Sequence, residues 1–390
     1  MFVLFLILIG LCVYGVVEYT GHQRRLRAIP IRIHVNGPRG KSSVTRLIAA
    51  GLRAGGIRTV GKTTGTLPRI SDHEGREIAI KRNQPANIIE QVKILHYIEK
   101  FKPQALVIEC MAVLPEFQWI CEHQIIRSNI GVITNTRLDH INEMGHFREQ
   151  VARSLSNTIP KNGICFTSEK SNLWVLEGVG KQQGTSVHRI GGSSITREEL
   201  SHFKYIEHPA NIGLALAVCE HVGVDRPTAL KGMYGVHPDA GALRVATCFE
   251  GEKEVFFVNA MAANDPESSL VIVNDIKEQF SPLGTEILLV NSRSDRQDRS
   301  MQLLEMIARH IQFDYLMLTG QSLNRFISYA LKQKIAKSKV IGIGMTSPEK
   351  VYQEVFSLVK DKGTVVGLGN VGAGGLDIAR YFFKNRRRES

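Results

Sequence analysis

The sequence predicts a two-domain α/β protein with parallel-rich sheets and an apolar helix at its N-terminus. Three observations carry that prediction. Apolar runs alternate with amphipathic stretches along most of the 390 residues, the pattern of strands joined by crossover helices. A Gly-Pro-Arg-Gly-Lys-Ser turn stands where the first central run passes into a helix. A second series of strand-like runs begins after a break near residues 240–247. The length allows two or three domains with sizeable cores. A content of 43% hydrophobic and 22% charged residues places the chain among ordinary globular proteins and excludes a disordered or low-complexity one.

Taken in order, residues 2–17 form an uncharged apolar run, followed by Glu18 and then by His22-Gln23-Arg24-Arg25-Leu26-Arg27. A helix of that run measures about 24 Å at a rise of about 1.5 Å per residue, against a hydrocarbon core of about 30 Å. It spans by local thinning, or by setting Tyr14 and Tyr19 at the interface. A cleaved signal peptide fits poorly, since the positive charge follows the apolar run. The arginines would stay on the cytoplasmic side. The expectation is a cell-membrane anchor over 1–20 with the catalytic body in the cytoplasm; the alternative is a buried first strand or helix.

A central domain is expected over 28–245, with strands at 31–35, 105–109, 130–134 and 163–167 and a helix over 115–123. A smaller Rossmann-like domain is expected over 246–390, with strands at 255–258, 286–290, 315–319, 339–343 and 364–368 and a helix over 300–311. The basic end, Lys384 to Arg388, reads as a solvated tail, with anionic lipid or polymer as its alternative contact.

Forty-nine basic and 37 acidic residues give a net charge of +12, which favours anionic partners such as a nucleotide, acidic lipid or a polyanionic product. No basic helix or aromatic-interleaved patch points to nucleic acid. Cys12, Cys110, Cys121, Cys165, Cys219 and Cys248 form no C-x-x-C pair and read as reduced, mostly buried thiols.

The glycine turn carries the first chemistry. In Asn36-Gly37-Pro38-Arg39-Gly40-Lys41-Ser42-Ser43, a strand, a glycine-bracketed turn and a helix start follow one another. Unpaired N–H groups at the helix N-terminus, together with its dipole, cradle a phosphate. Lys41 would reach the β/γ-phosphates and Ser42 would sit on Mg²⁺. The longer phosphate loop would need a glycine where Val35 or Asn36 stands; here the form is Gly-x-x-Gly-Lys-Ser. The bland alternative is an ordinary glycine turn. Gly37, Arg39, Gly40, Lys41, Ser42 and Ser43 are the candidate nucleotide contacts.

Two further motifs follow in order. Val132-Ile133-Thr134-Asn135-Thr136-Arg137-Leu138-Asp139-His140 is a strand ending in Thr-Asn with Asp-His beyond it, and His208-Pro209-Ala210-Asn211 opens a helix. With the short phosphate loop, these resemble the Mur-ligase superfamily, whose members join amino acids to carboxylates through an acyl phosphate. The chain has no room for a separate N-terminal substrate domain, so it is similar to the two-domain polyglutamate-forming members. With its anchor it looks most like the ligase subunits of poly-γ-glutamate synthases, over nearly the whole chain.

The resemblance implies ATP and Mg²⁺, with Mn²⁺ as a substitute. It implies metal ligation by Ser42, Thr64, Glu109 and His140, with Asp139 and Asn135 shaping the loop that carries His140. It further implies contacts around the adenine at Asn211 and His208, and a phosphate-sensing role for Arg244. Lys41, Glu109, His140 and Arg244 are the expected catalytic set. Each has a plainer reading: Thr64 in a capped turn, Glu109 solvated at a strand end, Asp139 and His208 as caps.

Three departures stand out. The ribose-binding acid of the family is replaced by Asn259, or its role has passed to Asp265; Asn264, in the same stretch, is the expected nucleotide contact. The bridging carbamylated lysine is missing from 151–156, so the second metal is held differently or Arg153 supplies charge there. Arg293 and Arg296 stand in a substrate-facing loop and suit a glutamate carboxylate, with ordinary surface charge as the alternative. Gly367-Leu368-Gly369-Asn370-Val371-Gly372 matches G-x-G-x-x-G, but the chain ends before an acidic strand could follow. It reads as the loop after the last strand.

The implied function is an ADP-forming amide ligase that lengthens poly-γ-glutamate with glutamate. The implied partner is an integral-membrane subunit of a synthase complex, and oligomers are compatible with the sequence. The alternatives are another amino-acid ligase of the folylpolyglutamate type and a P-loop ATPase that energises polymer export.

Overall fold

A computed structural model describes residues 2–64, 68–80, 82, 86–203, 205, 207–236, 244–261, 266–280 and 284–386, without the side chains of 244, 267, 268, 271, 275 and 278–280. The chain divides into two compact units, Met1–Asp239 and Ala240–Ser390.

The first unit begins with helix α1 (Phe2–Arg27), 26 residues long. It extends beyond the expected anchor of 1–20: at about 1.5 Å per residue it measures about 39 Å. The window that is apolar enough to cross a bilayer is wholly unburied, whereas His22 and Leu26 are buried. His22 Nε2 lies 2.9 Å from Ile125 O, and Leu26 packs with Ile94, Leu95, Leu106 and Ile125. The helix is therefore apolar outside the domain and part of its core at the other end.

An eight-stranded sheet follows. Its strands are β1 (Ile31–Asn36), β2 (Thr59–Thr63), β3 (Arg69–Ser71), β4 (Glu77–Ala79), β5 (Ala105–Glu109), β6 (Ile130–Ile133), β7 (Ile164–Thr167) and β8 (Ser186–Arg189). They are ordered β4-β3-β2-β5-β1-β6-β7-β8. β1 runs parallel to both β5 and β6, and the antiparallel pairs are β2–β3 and β3–β4. β5 is apolar on both faces up to Ile108, as a strand covered by helices on each side must be, whereas β1 alternates Ile31, Ile33 and Val35 with Arg32, His34 and Asn36. Helix α2 (Lys41–Ala54) buries Val44, Leu47, Ile48 and Leu52 between the sheet and the helices Pro209–His221 and Arg226–Tyr234.

The helix expected over 115–123 is α-helical only over Pro115–Ile120 and continues as a π-helix over Cys121–Ile126. The wider turn buries Cys121 and Glu122 together. The Glu122 carboxylate accepts from Ser128 N and Oγ and lies 2.8 Å from His34 Nδ1 on β1. Burial alone would lower the His34 pKa, but the Cys110 thiol and Glu122 hold it up to about 10. A raised imidazole contributes stability that is full below its unfolded value, near 6.5, and is lost as pH rises toward 10. The unfolding free energy is therefore expected to fall by about 1–3 kcal/mol between pH 7 and 10, and His34→Gln should flatten the slope in urea titrations.

The second unit is a six-stranded sheet. Its strands are β9 (Arg244–Glu250), β10 (Lys253–Asn259), β11 (Thr285–Ser292), β12 (Tyr315–Gly320), β13 (Val340–Gly344) and β14 (Lys362–Gly369). The order is β13-β12-β11-β14-β10-β9, with only β9 antiparallel. One apolar core lies on each face, around Phe257 and Phe382 and around Leu304 and Phe326. The helix expected over 300–311 spans Gln297–His310. Near the C-terminus, the Arg386 backbone bridges to Cys248, while Arg387 and Arg388 lie outside the described residues. All six cysteines are free, and all but Cys12 are buried.

Candidate active site

The carboxyl ends of β1, β5 and β6 meet at one edge of the first sheet, where open α/β folds place their chemistry. β1 delivers Asn36, whose Nδ2 donates to Gln118 Oε1 and Thr158 Oγ1 and whose Oδ1 accepts from Gly37 N. The turn that follows needs its glycines. Gly37 has φ +131° and Gly40 φ +83°, in the half of backbone space that side chains disfavour. Thr134 Oγ1 presses against Gly37, and a Cβ on Gly40 would stand 2.6 Å from Asn211 Oδ1.

Gly40 caps α2 without a side chain, and no acidic residue occupies the first turn. The helix thus presents its positive end and first N–H groups to an anion. Gly40→Ala should cost about 1–2 kcal/mol of stability and at least about tenfold in ATP affinity, since the loop must shift. Thermal denaturation with and without nucleotide measures both.

Loop and neighbours interlock. Thr134 Oγ1 and Asn135 Nδ2 both donate to Arg39 O, at 2.5 and 3.1 Å. Asn135 Oδ1 also accepts from Arg137 N, so this side chain ties the phosphate loop to the Asp-His loop. Lys41 Nζ donates to Gly37 O at 2.5 Å, folded back over the turn that it would help to charge.

Glu109 closes β5 and is buried to 2% exposure. Its Oε2 accepts from Ser42 Oγ at 2.8 Å and from Thr64 N at 2.7 Å. One carboxylate thereby joins the α2 N-terminus to the end of β2. A solvated strand-end carboxylate, the plainer reading, does not describe it. Gly65, Thr66 and Leu67, which follow Thr64, lie outside the described residues.

Asp139 and His140 sit across the loop. Arg39 Nη2 lies 3.8 Å from Asp139 Oδ2, and Asp139 Oδ1 accepts from His140 N. His140 has φ +47° and is one-third exposed, with its ring nitrogens 4.0 Å from Asp139 Oδ2 and Glu143 Oε2. Its imidazole thus stands between two carboxylates at the mouth of the site.

His208 caps the helix Pro209–His221, its Nδ1 accepting from Ala210 N. Asn211 stands against Gly40 and donates from Nδ2 to Glu207 Oε1 at 2.8 Å. The structure thus puts Asn211 behind the phosphate loop, a place that the adenine expectation did not include. Glu207 is buried; its environment pushes the carboxyl pKa up by desolvation, against bonds from Asn211, His208 N, Ser43 and Tyr205. Ser43 is consequently tied to Glu207 beneath the loop.

Two further groups escaped the motif reading. Lys62, fully buried on β2, pairs with Glu90 Oε1 at 3.0 Å, and Arg82 Nε holds the other oxygen at 2.6 Å. Burial pushes the Lys62 pKa down, while Glu90 and Glu109 oppose it. For Lys62 the one sequence signal was its place two residues before Thr64. Glu207 is the second such group, and its sequence signal was its place next to His208.

Arg153 does not reach this site. It pairs with Glu149 at 2.9 Å on the same helix and lies over Trp174, 61% exposed. An i, i+4 pair on the surface satisfies it.

In the second unit, Arg244 opens β9 and its backbone pairs with Asn259; its side chain is outside the described set, as are Asn264 and Asp265. Asn259 is buried, and its Oδ1 accepts from Met261 N. Arg293 forms two bonds with Asp295, and Arg296 stands at the N-terminus of the helix Gln297–His310. The Gly-rich 367–372 segment is not wholly the loop after the last strand: residues 367–369 end β14, and only Asn370, Val371 and Gly372 form the turn beyond it, where Asn291 Nδ2 donates to the carbonyls of Asn370 and Gly372.

Known proteins place this geometry. Residues 245–385 match the family described as poly-gamma-glutamate synthase CapB C-terminal domain. The capsule biosynthesis protein CapB of Bacillus anthracis is 36% identical over 93% of this chain and 80% of its own length. The PGA synthase CapB of Bacillus subtilis is 34% identical over 92% of both chains.

Among solved structures, the Yersinia pestis bifunctional folylpolyglutamate synthase/dihydrofolate synthase, complexed with AMPPNP and Mn ion, superposes with a TM-score of 0.69. It is 15% identical and covers 94% of this chain and 92% of its own. The Mycobacterium tuberculosis folylpolyglutamate synthase, complexed with ADP and AMPPCP, gives a TM-score of 0.67 at 16% identity, with 95% and 96% covered. At that identity the likeness speaks for the fold, and it is the Mur-ligase-like α/β fold that the motifs led us to expect. The curated relatives speak for more: this chain belongs to the CapB family of poly-gamma-glutamate synthases.

Proposed function

We propose that the chain is an ATP-dependent, ADP-forming amide ligase that lengthens poly-γ-glutamate. The observation that carries the reading is the meeting of Lys41, Ser42 and Glu109 at the outlet of β1 and β5. An uncapped helix N-terminus and a lysine suit the phosphates of ATP. A buried carboxylate within 2.8 Å of a hydroxyl is the donor chemistry of a hard divalent cation. Ser42, Thr64, Glu109 and His140 are the residues that would hold Mg²⁺, or Mn²⁺ in its place; the ion would neutralise phosphate charge during transfer.

In the proposed reaction, a carboxylate oxygen of the growing polymer attacks the γ-phosphorus of ATP, and the bond to the β-phosphate oxygen breaks. The amine of an incoming glutamate attacks the activated carbonyl carbon, phosphate leaves and the amine loses a proton. Lys41 and the loop N–H groups hold the phosphates, and Arg39 lends charge at the rim. Asn135 and Asn211 keep the loop in register. Arg244 and Asn264, from the second unit, are assigned nucleotide contacts.

We further assign α1 as a cell-membrane anchor that keeps both units on the cytoplasmic side, within a synthase complex that includes an integral-membrane subunit. Deleting residues 2–17 should move the protein from the membrane fraction to the supernatant.

The deciding assay is ADP release with Mg²⁺, with and without glutamate and short γ-glutamyl oligomers, combined with mass analysis. Glutamate-dependent turnover with products longer by glutamate units is the expected result. Glutamate-independent hydrolysis without new amide bonds would favour an export ATPase.

A further inference from the structure

The edge of the first sheet opposite the phosphate loop carries a feature that ligase chemistry does not use. A cavity of about 700 Å³ opens there, lined by Arg32, Trp119, Glu122, His123, Arg127 and Lys161 among others. Arg32 lies near the start of β1, and Arg127 precedes β6. The cavity is therefore at the amino ends of the strands whose carboxyl ends form the ATP site.

Its lining is mainly cationic, with Glu122 the one opposing charge. None of Arg32, Arg127 and Lys161 forms an ion pair with a carboxylate among the described residues. The two guanidinium groups are instead held in place by neutral oxygens. Arg32 Nε donates to Arg127 O at 2.8 Å and its Nη1 to Ile29 O at 2.7 Å. Arg127 Nε donates to His123 O, and its Nη1 to Gln23 Oε1 at 2.8 Å. The one carboxylate at the cavity, Glu122, is 1% exposed and already engaged by His34 and Ser128. Burial lowers the His123 pKa. Cations fixed without carboxylate partners form a site for an anion.

Its position names the anion's source. Gln23 belongs to α1, so the helix that carries the exposed apolar run touches the cavity wall. From Val17 to Gln23 is six residues, or about 9 Å along the helix. A headgroup layer is about 5–8 Å deep on each side of the hydrocarbon. If Val17 ends the apolar span, Gln23 and the Arg127 that it holds stand at the outer edge of the headgroup layer. Trp119, 43% exposed on the same wall and 5.2 Å from the His123 ring, has the amphipathic character of an interfacial anchor.

We propose that this cavity binds the phosphodiester headgroup of an anionic phospholipid, seating the catalytic unit on the membrane beside its anchor. The inference rests on α1 being membrane-embedded, and the test separates the two.

The full-length chain has two tryptophans, so Trp174→Phe leaves Trp119 as the sole fluorescent reporter. The protein is reconstituted into phosphatidylcholine vesicles doped with brominated phosphatidylglycerol or equally brominated phosphatidylcholine, and flotation is measured in parallel. Flotation with both lipids and stronger quenching of Trp119 by brominated phosphatidylglycerol are expected. Lys161→Gln, an exposed position, should weaken that preference about fivefold while glutamate-dependent ADP release in detergent stays unchanged.

Equal quenching by the two lipids with intact flotation would overturn the cavity assignment and leave the anchor standing. Absence of flotation from either vesicle would overturn both. Saturable Trp119 changes with inorganic phosphate or glycerophosphoglycerol in detergent, without lipid preference, would mark a site for a soluble phosphate and overturn the lipid assignment.

Discussion

Lys41→Ala is expected to abolish ATP turnover, lowering ADP release by about 10³-fold or more. Phosphoryl transfer asks little covalent chemistry of a protein; its rate comes from positioning and from cations facing developing charge. Lys41 is the lysine whose ammonium group lies within the phosphate turn, 2.5 Å from Gly37 O. Removing it takes away the mobile charge but leaves the backbone cradle, since Thr134 and Asn135 still brace Arg39 O. Stability should therefore change by less than about 1 kcal/mol. ADP release measured beside a thermal melt separates these effects, and a variant that turns over ATP at the wild-type rate would remove Lys41 from the site.

Glu109→Gln should act differently. The glutamine is isosteric and its amide oxygen can still accept from Ser42 Oγ and Thr64 N, so the framework is retained. What disappears is a buried negative charge, both from the proposed metal position and from the neighbourhood of Lys62. We expect turnover to fall by about 10²–10³-fold, the range for loss of one preorganised electrostatic contact, with a higher Mg²⁺ concentration needed for half-maximal rate. A titration of rate against Mg²⁺ reads both. An unchanged metal requirement would make Glu109 a structural tie only. Glu109→Ala should be worse, because it leaves the half-buried Thr64 N–H without its acceptor.

What could be read in advance followed from chain-local signals. Residues 105–109 and 130–133 declared themselves as strands because a central parallel strand is apolar throughout. The phosphate turn was legible because only glycine tolerates the positive φ found at Gly37 and Gly40. β3 and β4 were not legible, being three residues each around a single isoleucine, too short for any periodicity. Lys62 hid because a lysine in a short polar run looks exposed; only tertiary pairing with Glu90 permits its burial. Glu207 hid for a similar reason, its partner Ser43 being near only after folding. Arg153 misled in the opposite direction, since a charge next to a motif is more cheaply satisfied by its own helix.

The double character of α1 has a practical corollary for anyone preparing a soluble form. Trimming at the end of the hydrophobic stretch, near Thr20, would leave His22 and Leu26 to cover Ile94, Leu95 and Ile125. Trimming the whole helix, so that the polypeptide starts at Ala28, would uncover that cluster and release Arg127 from Gln23. The first product should be monodisperse. The second should aggregate, although it lacks only a few more amino acids.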